Sequence, residues 1–326
     1  MSETFKFRRA LRAIALAVSL CVCSTAQAQT YPVKSIRFIV PFPPGGGADF
    51  LARILSQELA ASLRQQLVID NRAGAQGSVG TALAAKAPPD GYTIVLTILG
   101  TLAMNPWIYQ DVGYDPVKDF SHITLATAQP LLVVVNPRVP AHDLKQLAAL
   151  ARAKPDRLTF ATSSSTTHLA GELFKQVTRT KMVQVPYKGG GPAILDVVGG
   201  HVDLSFASVP SVQSMIASGK LRALAVTGAK RLNALPQVPT SRESGFPEFE
   251  VNSWYSIAAP AHTPPEIVSR LNAEIGRVLR LQSVRDKLQA EGLEAQPSTP
   301  EEMAAYVKKE YERWGRVVKA AGITPG

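Results

Sequence analysis

From Ile39 to Leu59 the chain reads IVPFPPGGGADFLARILSQEL. An apolar run suited to a strand meets a cluster of prolines, passes three glycines and an aspartate, and enters a segment where Leu51, Ile54, Leu55, Leu59 and Leu63 recur at helical spacing. A strand that feeds a helix through a short loop is half of a βαβ unit, and such units stack side by side into a sheet. The same grammar continues. Strands are expected over 35–41, 66–70 and 92–97, with helices over 49–65 and up to residue 87, and an irregular stretch to about Phe120. It then restarts, with strands over 131–136, 158–162, 183–186, 202–207, 221–227 and 254–259. Helices are expected over 142–154, 168–178, after Pro192, and over 212–218, 264–281 and 300–321. This alternation predicts a mostly parallel sheet covered on both faces.

The second series sits between the body of the first and the last two helices. The expectation is therefore an α/β protein of two lobes with two hinge crossovers, near Ala128 and near Val251. Lobe one would take residues 29–127 plus 252–326, and lobe two residues 128–251. About 298 residues, those after position 28, are enough for two such domains, each with its own core. Open α/β sheets bind ligands at the C-terminal ends of their strands, where the glycine loop at 45–47 lies.

Residues 1–28 read as a signal peptide. Lys6, Arg8, Arg9 and Arg12 form a basic start, 13–23 is an apolar run too short for a membrane span, and Ala26-Gln27-Ala28 offers a cleavage site. Export to the periplasm follows as an expectation. Cys21 and Cys23 are the only cysteines, so the mature chain has no disulfide, thiolate nucleophile or cysteine metal site. The full chain carries a net charge of +10, and the signal holds four Lys/Arg and one Glu, which leaves +7. The positive residues are scattered, which favours a soluble basic surface or mild attraction of an anion over nucleic-acid binding.

The loops exclude several chemistries. Gly45-Gly46-Gly47 is followed by Ala48 and Asp49, without the lysine of a phosphate-binding P-loop. Gly74, Gly77 and Gly80 are spaced three apart, which is not the dinucleotide fingerprint. No G-x-S-x-G elbow, S-x-x-K or H-E-x-x-H is present, and His122, His142, His168, His201 and His262 are far apart in the chain. No catalytic residue, metal or cofactor is expected. What the loops offer is backbone: a helix N-terminus presents unpaired N–H groups and partial positive charge, and glycine lets a ligand approach it. The loops 43–49, 163–167 and 187–192 fit that description. Together they favour a small polar anion such as a carboxylate.

The segment YPVKSIRFIVPFPPGGGADFLAR from Tyr31 resembles the start of the Bug family, the periplasmic solute-binding proteins of tripartite tricarboxylate transporters. VIDNRAGAQGSVG from Val68, DGYTIVL from Asp90, HLAGELF from His168 and VPYKGGGPAILDVVGGHVDLSF from Val185 are similar to it as well. So are RLNALPQVPTSRESG from Arg231 and WYSIAAPAHTPPEIVSRLN from Trp254, so the resemblance covers essentially the whole mature chain. It implies a type II periplasmic-binding-protein fold that closes on its ligand like a flytrap. It also implies an extracytoplasmic receptor, expected as a monomer, that passes a carboxylated solute to membrane permease subunits. By matching position it assigns Phe42, Pro43, Gly45, Gly46 and Asp49 to the ligand from lobe one, with Asp49 capping its helix or ordering water. It assigns Ser163, Ser164, Thr166 and Thr167 from lobe two, with Tyr187, Lys188 and Asp203 as weaker candidates. The family often has glycines where this chain reads Ser163-Ser164-Ser165-Thr166-Thr167, which puts close backbone approach there in question. Two rivals stay open: a ligand sensor for a membrane kinase, and a hydrolase using Ser164 or Ser165 with His168.

Overall fold

The computed structural model describes residues 31–187 and 190–325. The expected signal peptide, residues 1–28, and Lys188 lie outside the described residues. The chain divides into Met1–Val33 and a compact unit, Lys34–Gly326; the fold below is that of the second.

Strand β1 (Ile36–Val40) leads into helix α1 (Gly47–Leu63), which buries Leu51, Leu55, Leu59 and Leu63 and ends at Arg64 in the left-handed conformation. Strand β2 (Leu67–Asn71), helix α2 (Ser78–Ala85) and strand β3 (Thr93–Ile98) follow. The stretch read as irregular contains a buried π-helical turn at Gly100–Met104 and the short helix α3 (Asn105–Ile108). Strand β4 is long, Phe120–Val135. After it come α4 (Leu144–Ala153), β5 (Thr159–Thr162), α5 (Ser165–Thr178), β6 (Val183–Pro186) and α6 (Gly190–Gly199). Strand β7 (Leu204–Ser208), α7 (Val209–Ala217), β8 (Arg222–Val226) and β9 (Asn252–Pro260) complete the sheet region. The chain ends with α8 (Pro265–Arg280), α9 (Gln282–Ala290), β10 (Glu294–Ala295) and α10 (Pro300–Ala320).

The sheet order is β2-β1-β3-β9-β4-β7-β5-β6, with β8 and β10 also on β4. The expected mostly parallel sheet is corrected to a mixed one. β1 pairs parallel with β2 and β3, and β5 with β6 and β7, but β9 is antiparallel to β3 and β4, and β4 is antiparallel to β7 and β8. The antiparallel strands are those that travel between the two parallel sets. β4 pairs with β9 from Phe120 to Pro130, then with β7 and β8 from Leu131 to Val135. Pro130 sits where partners change, a place where a missing N–H is tolerated.

Thr227 stitches this crossing. Its hydroxyl accepts from the Leu131 N–H at 2.8 Å and lies 2.6 Å from the Val251 carbonyl, the residue before β9. One buried cluster takes Ile39, Val95 and Met104 from the first strand set, Phe160, Phe174 and Phe206 from the second, and Trp254 and Trp314 from the C-terminal part. A smaller cluster, including Leu132, Ile194, Val197 and Val212, lies on the other face of the second set.

Candidate functional site

The opening question, why a carboxylate stands at the mouth of a glycine loop, has a structural answer. Asp49 lies in the first turn of α1, 3% exposed. Its carboxylate accepts from the Gly45 N–H at 3.0 Å, from Arg53 Nε at 2.8 Å and Nη2 at 3.1 Å, and from Asn71 Nδ2 at 3.1 Å. The hydrogen bond from Arg53 holds its carboxyl below the usual range against the opposing effect of burial, helped by Gly45 and Asn71. Asp49 therefore clamps the loop from behind. Asn71 Nδ2 also donates to the Phe42 carbonyl at 3.0 Å, tying the loop to the end of β2. Gly46 caps α1 without any side-chain hydrogen bond, and Pro43 to Gly47 are exposed. The first N–H groups of α1 thus face outward from a loop whose only charge is already paired. The glycine series rejected as a nucleotide motif is a packing device: a β-carbon on Gly80 would lie 2.6 Å from the Arg72 carbonyl and 2.8 Å from Pro41.

The loop at 163–167 reaches a similar end by other means. Ser164 caps α5, and the Ser163 and Ser164 N–H groups donate to Thr167 Oγ1 at 2.9 and 3.1 Å. Thr167 N donates back to Ser164 Oγ at 3.3 Å, completing a capping box. None of residues 163–167 has a positive φ, so serine and threonine hold this turn without the strain that would demand glycine. Ser165 and Thr166, first in the helix, keep N–H groups with no intrahelical acceptor.

These residues surround a cavity of about 270 Å³ at the C-terminal ends of β5 and β7. Ser163, Ser164, Thr166 and Thr167 line it from the entry and first turn of α5, Gly190, Ala193 and Ile194 from α6, and Ser208, the N-cap of α7, with Ser211 from its first turn. Three helix N-termini therefore meet on one space, an arrangement that favours negative charge without a cation. Ile98, Gln129, Leu131, Ser253 and Tyr255 close it from the β3–β9–β4 side. A β-carbon on Gly47 would lie 2.9 Å from the Tyr255 hydroxyl, so the α1 N-terminus adjoins the same cavity through this ring. Among the described residues no Lys, Arg, His, Asp or Glu lines it.

Of the residues expected at a ligand, Ser163, Ser164, Thr166 and Thr167 come together here. Phe42, Pro43, Gly45, Gly46 and Asp49 form the neighbouring α1 loop and do not line the cavity. Tyr187 is not in the lining. Its hydroxyl donates to Asp196 at 2.6 Å and is pushed up to about 12 by burial and by that carboxylate. Asp203 lies at the opposite end of β7, where it accepts from Thr159 N and Oγ1 at 2.9 and 3.0 Å and from Arg138 Nη2 at 3.3 Å. Gln129, Ser208, Ser211, Ser253 and Tyr255 were not foreseen. A glutamine beside a proline inside an apolar strand region was the available signal for the first.

The hydrolase geometry does not form. Ser165 Oγ donates to Asn105 Oδ1 at 2.9 Å, and Ser164 Oγ is spent on the cap. His168 Nε2 lies 3.9 Å from Glu172, and burial pushes the imidazole down. Among the described residues no cluster of His, Cys, Asp or Glu could hold a metal ion. A second cavity, about 430 Å³, lies beside β8. It holds none of the expected residues, and its one guanidinium, Arg222, already donates to the Val139 and Ala141 carbonyls.

The chain is similar to known proteins in sequence and fold. The family described as "Tripartite tricarboxylate transporter family receptor" matches residues 51–323. Protein BugT of Bordetella pertussis is 37% identical over 304 residues, 92% of this chain and 93% of that protein. The structure titled "R. palustris Rpa4515 with adipate" is 37% identical with a TM-score of 0.79, covering 91% of this chain and 100% of that one. MatC from Rhodopseudomonas palustris with bound malate is 32% identical with a TM-score of 0.75, covering 88% and 100%.

Proposed function

Because the chain belongs to the tripartite tricarboxylate transporter receptor family, a family of solute-binding receptors and not of enzymes, we propose that it captures a small carboxylate in the 270 Å³ cavity and delivers it to membrane permease subunits. Its fold is the α/β fold of the periplasmic binding proteins, as the sequence led us to expect. The observation that carries the reading is the convergence of the α5, α6 and α7 N-termini on a hydroxyl-lined space, with the bare α1 N-terminus beside it. That is the chemistry of a carboxylate held by main-chain donors. Adipate and malate in the two relatives support the same ligand class.

In this reading Ser163, Ser164, Thr166 and Thr167 contact the ligand from lobe two, and Phe42, Pro43, Gly45 and Gly46 meet it from lobe one, while Asp49 only fixes their loop. Lobe one is 29–127 plus 252–326 and lobe two 128–251, flexing where β4 and the approach to β9 are stitched by Thr227. Closure is driven by the ligand's greater affinity for the shut state. The chain acts as a periplasmic monomer, exported by residues 1–28. Isothermal titration of the mature chain with a panel of mono- and dicarboxylates, adipate and malate included, is expected to give saturable binding. Folded protein that is silent across the panel would overturn the reading.

A further inference from the structure

On the reading of this cavity as the ligand site, we propose that its β4–β9 floor selects a hydroxyl-bearing carboxylate over the same acid without the hydroxyl. Gln129 is 7% exposed and lines the cavity, yet its amide has no hydrogen-bond partner among the described residues. Directly opposite it on β9 is Ser253, and two residues further on the same face is Tyr255; both line the cavity, and neither side chain has a hydrogen-bond partner among the described residues. Thr127, opposite Tyr255, has a fully buried, unpartnered hydroxyl but does not line the cavity. The rest of the sheet side of the space is apolar at Ile98, Leu131, Phe206 and Ala207, apart from Ser205, whose hydroxyl already donates to the Ala161 carbonyl at 3.2 Å. The Gln129 amide therefore stands open to the cavity, with both its donor and its acceptor left for a guest.

The chemistry of this floor selects its guest. Every group on it is neutral, and amide and hydroxyl each both donate and accept. A hydroxyl substituent can accept from the Gln129 amide or the Tyr255 phenol and donate to the Gln129 carbonyl. An alkyl spacer leaves these groups unpaired. An ammonium would find no Asp or Glu among the described lining residues, and a carboxylate can only accept, which leaves the Gln129 carbonyl unmatched. Sites built to bond a ligand hydroxyl reject the analogue that lacks it far more strongly than apolar pockets discriminate by size. The helix N-termini hold the carboxylate, and the strand floor reads the substituent.

Two pairs of acids test this by calorimetry on the mature chain: malate against succinate, and 3-hydroxybutyrate against butyrate. The hydroxyl-bearing member of at least one pair is expected to bind about tenfold or more tightly. Gln129→Leu and, separately, Tyr255→Phe should each pull that ratio toward one, in protein whose ligand-free melting shows it folded. Tyr255→Phe deletes a single oxygen and guards against a packing defect at Gln129. Equal affinity within both pairs would overturn the floor's role while leaving the carboxylate site standing, as would a ratio that survives both substitutions. Protein that binds none of the four acids, or any carboxylate of the wider panel, would overturn both readings.

Discussion

The α1 loop and the α5 loop solve one problem in opposite ways. Each must present the N-terminus of a helix at a strand end with its N–H groups available. The α1 loop uses glycine for reach and borrows rigidity from outside itself: Asp49, Arg53 and Asn71 hold it from the protein side. The α5 loop has no glycine and makes its rigidity internally, with Thr167 receiving two N–H groups and Ser164 closing the box. Bare backbone needs a brace, and the brace is a buried carboxylate in one case and two hydroxyls in the other. The comparison also removes the question raised by the missing glycines, since a turn with no positive φ does not need them.

The largest expected effect comes from breaking the first brace. Asp49→Ala strands the Gly45 N–H and the Asn71 amide, while the exposed Arg53 returns to water, and should cost about 2–3 kcal/mol in chemical denaturation. The pH dependence follows from the depressed carboxyl. Asp49 binds its proton less readily folded than unfolded, so its contribution is present above the ordinary value of 3.8 and is lost as pH falls through the folded value. Asp49→Asn should therefore lose less stability than the parent on acidification below that point. An identical acid limb in both proteins would show that the clamp carries no charge.

The second brace should break at smaller cost. Thr167→Val removes the acceptor for Ser163 and Ser164 and is expected to cost about 1–2 kcal/mol, while Thr167→Ser keeps most of it. If both substitutions were equally damaging, the methyl packing and not the hydroxyl would be holding the loop. The smallest effect isolates backbone shape. Gly45 has φ +87° with nothing within 4 Å of an added β-carbon, so Gly45→Ala tests conformation alone and should cost about 1 kcal/mol in thermal unfolding. Ser164→Gly in the other loop should cost only a few tenths of that. The reverse order would mean the two loops had been assigned the wrong supports.

Most strands and helices could be read from periodicity, because each buries a stripe or a face that its own residues define. The failures have different causes. Residues 120–130 were not read as strand because Gln129 and Pro130 look like a break, and only their position at a change of pairing partner makes them tolerable there. Helix α5 starts at Ser165, three residues before the expected His168, because its box closes with threonine at the third position and not with glutamate. Helix α9 has no side-chain N-cap, so nothing local announces it after Leu281.

Local sequence determined the strand–loop–helix units, the bare helix entries and the absence of a phosphate or catalytic motif, since those depend on residues within a few positions of one another. Tertiary structure alone decided that β4 would serve two strand sets and that Gln129 would stand opposite Ser253 at the floor of the cavity. It also decided that Asp203 would face away. Those outcomes rest on strand register and direction, which are set by pairing between segments far apart in the chain and leave no periodic mark in it.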